Sequence, residues 1–167
     1  MPLAGQVGQH PGAGGGEPVA DVLASLGDPR FLGTDPGLAV LYNTAMLEMM
    51  YTTVNGFLHG AALVGSAGVS AKEFAELALG WFMPVVLNPA WLAETAPDLD
   101  AGVYPGEQGD LRMNLNALEH ISRTSDEQGV HSAQPRLLRE LAELAAARGH
   151  GSDNYFSLFE IFKARPE

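Results

Sequence analysis

The amino-acid sequence predicts an all-α protein, a helical bundle arranged around one long central helix. In nearly every periodic segment the apolar residues recur about every 3.6 residues, which is the helical period. Capping residues and glycines separate these segments at intervals typical of helix ends. Residues 41–64, LYNTAMLEMMYTTVNGFLHGAALV, contain almost no turn signal and predict a single long helix. The 167 residues suffice for one domain with a substantial core.

The N-terminal residues predict a leader without regular structure, followed by three short elements. Residues 1–16 are rich in Gly, Pro and Gln, which is typical of a disordered leader. Residues 17–27 predict a short helix, because a proline stands in its first turn and a glycine at its end. Residues 29–33 predict a short strand, and residues 34–37 predict a turn.

The long helix is expected to begin near Leu38 and to end near Val64. At about 100° per residue, one of its faces is apolar, with Asn43 in the middle of that face. The apolar residues of this face are Met46, Leu47, Met50, Val54, Phe57 and Ala61. The helix is only weakly polar on its other sides, and such a helix is usually buried by partners on several sides. In a domain of this size a second subunit is a natural partner, so we expect a homodimer.

Capping signals define the helices that follow. Ser70 forms a capping box with the glutamate three residues later, and Pro84 ends or kinks the helix that it opens. Asp110 can cap a later helix, and Gly129 and Gly149 each end one. The predicted helices cover residues 72–83, 89–96, 111–128, 135–148 and 154–163.

The connections between these helices consist of turn residues. Residues 97–110, PDLDAGVYPGEQGD, predict a loop. Ser132 or Ala133 precedes the fourth of these helices, and Ser152 or Asp153 is expected to cap the last one. The GHGSD run before the last helix therefore indicates a link between two helix ends.

Composition excludes several classes of function. The formal net charge of −11 argues against nucleic acid and anionic membranes as partners, because no basic patch could hold phosphates. The absence of cysteine excludes disulfides and thiolate chemistry, and together with the lack of a signal peptide it favours a cytoplasmic location. No HExxH motif or histidine pair at helical spacing occurs, so no metal site is expected.

A narrow polar stripe runs beside the apolar face of the long helix. Its members are Thr44, Glu48, Tyr51, Asn55 and His59. The eight residues from Asn43 to Tyr51 correspond to about 12 Å along a helix. This spacing suits two polar groups at opposite ends of a small-molecule pocket. The alternative is a solvated stripe or a set of satisfied polar groups, and the pattern alone favours this alternative.

Three segments resemble a known family. Residues 31–64 (FLGTDPGLAVLYNTAMLEMMYTTVNGFLHGAALV) are similar to the inter-domain helix of the NADPH-dependent imine reductases and reductive aminases, together with the approach to that helix. Residues 98–130 (DLDAGVYPGEQGDLRMNLNALEHISRTSDEQGV) resemble a later loop and helix of that family. Residues 144–163 (LAAARGHGSDNYFSLFEIFK) resemble its C-terminal signature.

The resemblance implies a fold and an assembly. In this family a C-terminal helical bundle, of the 6-phosphogluconate dehydrogenase-like type, is joined to an N-terminal Rossmann domain. Two bundles intertwine into a homodimer. For this chain the resemblance implies a helical domain over residues 37–167, preceded by a remnant helix, strand and turn over residues 17–36. No GxGxxG occurs, so this chain alone is expected to bind no cofactor, and NADPH would require a Rossmann partner.

The resemblance also implies site residues. Tyr51 matches a tyrosine near the substrate, and Asn43 occupies a position where many members carry aspartate. Asparagine can hydrogen-bond an amine or a carbonyl, but it can neither act as an acid nor supply a negative charge. Tyr51 and Asn43 are therefore the expected catalytic residues. The expected substrate-binding residues are Met50, Asn55, His59, Trp81, Met113 and Asn114.

Three functions are compatible with these residues. The one we prefer from the sequence is a cofactor-free enzyme, of the cyclase or isomerase type, acting on a small amine, imine or carbonyl compound. The second is the substrate-binding half of a split NADPH-dependent imine reductase, which needs a separate Rossmann-domain protein. The third is a dimerisation or ligand-binding module without catalysis. A buried amide costs about 1–3 kcal/mol if it is unpaired, and this favours the first two mildly.

Overall fold

The computed structural model describes residue 24 and residues 30–163, and all regular structure in that part of the chain is helical. This confirms the all-α fold class. The predicted leader over residues 1–16 lies outside the described residues. Within the predicted 17–27 helix only Ala24 is described, and it is helical. The predicted strand is wrong over residues 30–33, which form no regular structure, because no second strand is present among the described residues to pair with it.

The helical elements follow one another along the chain with short connections. The α-helices are α1 (Pro36–Gly65), α2 (Ala71–Leu77), α3 (Met83–Val86), α4 (Pro89–Ala101), α5 (Leu111–Glu127), α6 (Ala133–Ala147) and α7 (Leu158–Lys163). A π-helical segment, Ala78–Phe82, joins α2 to α3. Two 3₁₀ turns, His150–Ser152 and Tyr155–Ser157, lie between α6 and α7. The chain forms two compact units, one ending at Met50 and the other beginning at Tyr51.

In the first unit, α1 begins two residues earlier than predicted. The backbone N–H of Gly37 donates to Oδ1 of Asp35 over 2.8 Å, so Asp35 caps the helix. Pro36 occupies the first helical position, where the missing N–H of proline breaks no intrahelical bond. The residues predicted as a turn therefore contain the helix start. No residue of α1 is buried within the single chain, so the predicted burial of this helix is not provided by the chain itself.

The core of the second unit lies between α5, α6 and α7. Its buried members are Leu111, Leu118, Ala142, Ala145, Leu158 and Ile161. Helices α5 and α6 are amphipathic, and each turns its apolar stripe toward this core. The two alanines of α6 are fully buried, which allows the neighbouring helices to approach closely. This core positions the first turn of α5 and the segment after α6.

Most predicted helix ends in the second unit are confirmed. Ser70 and Glu73 form both bonds of the capping box. Oδ1 of Asp110 accepts from the N–H of Met113 over 2.9 Å and caps α5. Gly129 and Gly149 follow the ends of α5 and α6 with φ values of 68° and 104°, which are left-handed conformations that favour glycine.

Neither Pro84 nor Pro97 ends its helix, so the helix end predicted before Pro97 is wrong, and of the two alternatives for Pro84 the helix end is wrong. The helical segment predicted over residues 72–83 continues beyond Pro84 to Val86. The N–H of Met83 donates to the carbonyl of Ala78, which is the wider π register. This change of register comes just before Pro84, which has no N–H to donate. Helix α4 likewise continues through Pro97 into the predicted loop of residues 97–110. It ends where the N–H of Val103 donates to the carbonyl of Asp98 over 2.9 Å.

The last predicted helix begins differently from the prediction. Residues 155–157 form a 3₁₀ turn, and α7 starts only at Leu158. Asn154 is the capping residue instead of Ser152 or Asp153, because its Oδ1 accepts from the N–H of Phe156 over 2.9 Å. Within the described residues, no helix combines the length and the hydropathy needed to cross a membrane.

Candidate functional site

Asn43 and Met50 lie on the part of α1 that belongs to the first unit. Both side chains are exposed in the single chain, so the burial expected for Asn43 would have to come from a partner. The apolar residues of the same face are exposed with them; Met46, for example, retains 59% of its accessible surface. The amide of Asn43 makes no hydrogen bond to another described residue. It can therefore donate to, and accept from, a partner from outside the chain.

Tyr51 and Asn55 lie on the part of α1 that belongs to the second unit. Tyr51 is 60% exposed, and its phenol makes no hydrogen bond within the described part of the chain. Asn55 is also exposed. These residues stand four apart on a continuous helix and thus share one side of it. A phenol and an amide in this state can donate hydrogen bonds to a carbonyl oxygen or an imine nitrogen.

His59 continues this side of α1, but its ring contacts another helix. Its Nε2 lies 3.2 Å from Oγ of Ser125 on α5. The hydroxyl of Ser125 already donates to the carbonyl of Ile121 over 2.8 Å, and it has a single hydrogen. Ser125 must therefore accept from an N–H at Nε2 of His59. The histidine joins the second half of α1 to α5, which is a structural task in addition to the predicted substrate contact.

The remaining predicted site residues lie after α1. Trp81 is in the π-helical segment, 60% exposed, with its ring centroid 6.4 Å from that of Phe82. π-Helical segments occur frequently at functional sites. Met113 and Asn114 share the first turn of α5, where Met113 is exposed and Nδ2 of Asn114 donates to the carbonyl of Asp110 over 2.8 Å.

A surface depression of the second unit is lined by none of these residues. Its volume is about 410 Å³, and it is lined by Asp126, Gly129, Val130, His131, Ser132, Ala133 and Arg136. Its carboxylate is already paired, since Asp126 accepts from Ser132 over 2.6 Å and from Arg136 over 2.7 Å. These bonds, the one from Ser132 foremost, lower the pKa of Asp126. The depression thus marks the connection of α5 to α6, and we assign no chemistry to it.

A polar cluster around Tyr104, which stands in the predicted loop, was not predicted from the sequence. Tyr104 is 7% exposed, and its hydroxyl donates to Oε1 of Glu160 over 2.5 Å. Burial, together with the carboxylate of Glu160, raises the pKa of Tyr104 to about 12. Lys163 and then Tyr104 lower the pKa of Glu160. An aromatic residue within a Pro/Gly-rich loop was the one signal that could have indicated this cluster. Among the described residues, no group of three or more metal-ligating side chains converges.

The comparison with known proteins identifies the family. Residues 35–164 match the family model described as NADPH-dependent reductive aminase-like, C-terminal domain. This range includes all of α1 to α7. The chain belongs to this family. The resemblance noted in the sequence is thereby confirmed, and it extends over every helix from α1 to α7.

Individual relatives agree with this assignment. The chain is 34% identical over 144 residues to the NADPH-dependent reductive aminase of Aspergillus oryzae, covering 84% of this chain and 48% of that protein. It superposes on the reductive aminase from Aspergillus terreus in complex with NADPH and ethyl-5-oxohexanoate with a TM-score of 0.81 and 39% identity, over 90% of this chain and 52% of the other.

A bacterial relative has the same fold. The imine reductase from Bacillus cereus gives a TM-score of 0.80 at 31% identity, over 90% of this chain and 51% of the other. The chain therefore spans about half the length of the relatives it matches.

Proposed function

We propose that this chain is the helical half of an NADPH-dependent imine reductase or reductive aminase that acts on small ketones, amines or imines. The observation that carries the proposal is the family match over residues 35–164, which includes every helix from α1 to α7. Relatives with about 40% identity were solved with NADPH and with carbonyl compounds or an amine. The nucleotide-binding half would come from another polypeptide segment or from a separate chain.

Cofactor binding is assigned to that other half. The chain has no GxGxxG, and the described residues contain no strand–turn–helix unit that could hold the phosphates of NADPH. When bound there, NADPH supplies a hydride. The cofactor-free reaction that we preferred from the sequence gains no support from the relatives, which are reductases or aminases, so reduction is the stronger proposal.

The proposed roles follow from the chemistry of the exposed groups. Tyr51 donates a hydrogen bond or a proton to the substrate nitrogen or oxygen, because its phenol is accessible and unpaired within the described chain. Asn43 orients the substrate through its amide and supplies neither charge nor an acidic proton. The residues proposed to contact the rest of the substrate are Met50, Asn55, His59, Trp81, Met113 and Asn114. We assign these roles to a domain that spans residues 37–167.

A second copy of the chain is the proposed cover for α1, in an intertwined homodimer. Exposed methionines, valines and leucines along both halves of α1 are unusual for a helix that faces water. Val54→Asp would place a charge on this face. Leu137→Asp is the control, because Leu137 is an exposed apolar residue of α6. We expect sedimentation equilibrium to give a dimer mass for the unmodified chain and Leu137→Asp, and a single-chain mass for Val54→Asp. A single-chain mass for all three would contradict the proposed dimer.

The catalytic proposal is tested in a fusion enzyme. Residues 35–167 replace the corresponding half of the A. terreus reductive aminase, and NADPH oxidation is followed with cyclohexanone and allylamine, the pair bound in one solved relative. We expect turnover that requires both the ketone and the amine. Tyr51→Phe should lower kcat about 100-fold, as is common for loss of an acid–base group.

Tyr42→Phe is the matched control, because Tyr42 is a similarly exposed tyrosine on the same helix. It should leave kcat unchanged. A folded, dimeric fusion without any NADPH oxidation would contradict the reductase proposal. Equal rates for Tyr51→Phe and Tyr42→Phe would remove Tyr51 from the reaction while leaving the reductase proposal in place.

A further inference from the structure

The loop of residues 103–110 is fastened to the segment that precedes α7. Three hydrogen bonds connect the loop, or Leu111 directly after it, to Asp153 and Asn154. The N–H of Asn154 donates to the carbonyl of Tyr104 over 3.1 Å, and Nδ2 of Asn154 donates to the carbonyl of Pro105 over 3.1 Å. The N–H of Leu111 donates to the carbonyl of Asp153 over 2.7 Å. These bonds tie together two segments that are about fifty residues apart in sequence.

The approach of the two segments is as close as a backbone allows. A Cβ atom built on Gly106 would lie 2.0 Å from the carbonyl oxygen of Ser152, a distance that no side chain can occupy. Glycine is therefore required at position 106 for this contact. The loop is packed against the 3₁₀ turn of residues 150–152 and does not project into solvent there.

One side-chain bond secures the beginning of the loop. The hydroxyl of Tyr104 is buried and donates to Oε1 of Glu160 on α7, which also accepts from Nζ of Lys163 over 2.7 Å. A hydrogen bond to a charged acceptor away from solvent is stronger than a neutral one. Half-buried Glu160 of α7 thereby holds the buried Tyr104 of the loop in place.

The end of the loop adjoins two of the proposed substrate contacts, which lie in the first turn of α5. Asp110 caps α5 through the N–H of Met113, and its carbonyl accepts from Nδ2 of Asn114. The methyl group of Met113 lies over Gly109, since a Cβ on that glycine would be 2.6 Å from Cε of Met113. Any displacement of the loop would therefore move both Met113 and Asn114.

We infer that Tyr104 and Glu160 form a positioning pair for substrate recognition: by fixing the loop of residues 103–110 they fix Met113 and Asn114 at the start of α5. Neither residue of the pair touches the substrate. The substrate side of this inference rests on the proposed function, whereas the effect on the loop does not.

Hydrogen exchange of the full chain tests the effect on the loop. Tyr104→Phe keeps the ring and removes the bond to Glu160. We expect amides of residues 103–114 to exchange about tenfold faster, as loss of a charge-assisted hydrogen bond implies. Tyr155→Phe is the matched control, because the hydroxyl of Tyr155 has no partner among the described residues. Exchange in α1 should not change in either variant.

Variants at Glu160 separate positioning from simple loss of stability. Glu160→Gln retains an oxygen that accepts from Tyr104 but loses the charge that pairs with Lys163. It should keep most of the protection of residues 103–114, whereas Glu160→Ala should lose as much as Tyr104→Phe. Unchanged exchange in Tyr104→Phe, or equal loss in Glu160→Gln and Glu160→Ala, would overturn the inference.

The fusion enzyme supplies the substrate readout. We expect Tyr104→Phe to raise KM for the ketone about fivefold, in line with the loss of roughly one hydrogen bond's worth of positioning, and to change kcat less than twofold. Tyr155→Phe should change neither. Faster exchange with an unchanged KM would show that the pair orders the loop without serving the substrate, and so would overturn its role in recognition. A fusion that is inactive without the substitution bears on the proposed function alone, and the exchange result then decides the inference.

Discussion

The helices α5 to α7 form a core of buried apolar residues, whereas the apolar residues of α1 to α4 stay partly or largely exposed. Leu111 on α5 is fully buried, but Trp81 in the segment between α2 and α3 is 60% exposed. No residue of α1 to α4 is buried. In the π-helical segment that joins α2 to α3, only Ala78 is buried. Yet residues 77–93 contain no charged residue at all. Low charge therefore coincides with exposure, whereas the buried core lies between the more highly charged helices α5 and α6.

The difference shows where the cover of the apolar surface must come from. In α5 to α7 the chain supplies its own cover, and ion pairs close the edges of the packing, such as the one from Arg136 to Asp126 over 2.7 Å. For α1 to α4 no described segment of the same chain supplies it. An exposed apolar surface of this extent marks a site of association. This is the physical basis for the proposed second copy and the proposed nucleotide-binding half.

The sharpest test of the comparison is the same substitution in both regions. Leu111→Ala should lower the free energy of unfolding by about 2–5 kcal/mol, because it leaves a cavity in a closed core. Leu77→Ala, at a leucine that is 61% exposed, should change it by less than about 0.5 kcal/mol at low protein concentration. Urea unfolding measures both values. Similar losses in the two variants at low concentration would mean that α2 is buried in the isolated chain, and the comparison would fail.

Two glycine-to-alanine substitutions compare the tight packing near α7 with the open C-terminal end of α1. Gly106→Ala should destabilise the chain by about 1–3 kcal/mol, since the new methyl group would overlap the carbonyl of Ser152. Gly65→Ala meets nothing within 4 Å and should be neutral or stabilising by up to about 1 kcal/mol, because alanine favours a helix. Thermal unfolding distinguishes the two. If Gly106→Ala were harmless, the loop of residues 103–110 could not be seated as described.

Tyr104 makes the packed region sensitive to alkaline pH. Its pKa is raised from 10.0 in the unfolded chain to about 12 in the folded one, by burial first and by Glu160 second. Its contribution to stability is therefore complete below pH 10 and is lost as the pH rises from 10 to about 12. The stability of Tyr104→Phe should fall less steeply over this interval. Parallel pH profiles for the two proteins would show that the phenol ionises equally well in both states.

The sequence predicted those parts of the fold that depend on local signals. The capping box at Ser70, the cap at Asp110 and the helix end at Gly149 are made by side chains or backbone within a few residues, and all were identified. A helix end at either proline was the wrong expectation, because a register change before Pro84 and a strong helix end beyond Pro97 outweigh the local preference to stop. Such compensation depends on neighbours that a pattern does not reveal.

The candidate site was only partly predictable for a related reason. Tyr51 and Asn43 were predicted because helical spacing relates them and because a family resemblance singles them out, and their roles stay predictions. The bond from His59 to Ser125 and the bond from Tyr104 to Glu160 join residues more than fifty positions apart, so no periodicity indicates them. The burial of Asn43 stays a prediction, because an apolar pattern predicts that a face is covered but cannot say by which chain.

The smallest expected effect concerns a serine within the packed region itself. Oγ of Ser157 is fully buried and has no hydrogen-bond partner among the residues that the structure describes, so the folded state bears the cost of its desolvation. Ser157→Ala should leave stability unchanged or raise it by about 1 kcal/mol. Ser125→Ala removes a hydroxyl that bonds both Ile121 and His59, and should lower stability by about 1 kcal/mol. Because the two serines are equally buried, a difference of this sign in urea unfolding isolates hydrogen bonding from burial, whereas equal losses would mean that Ser157 finds a partner in solution.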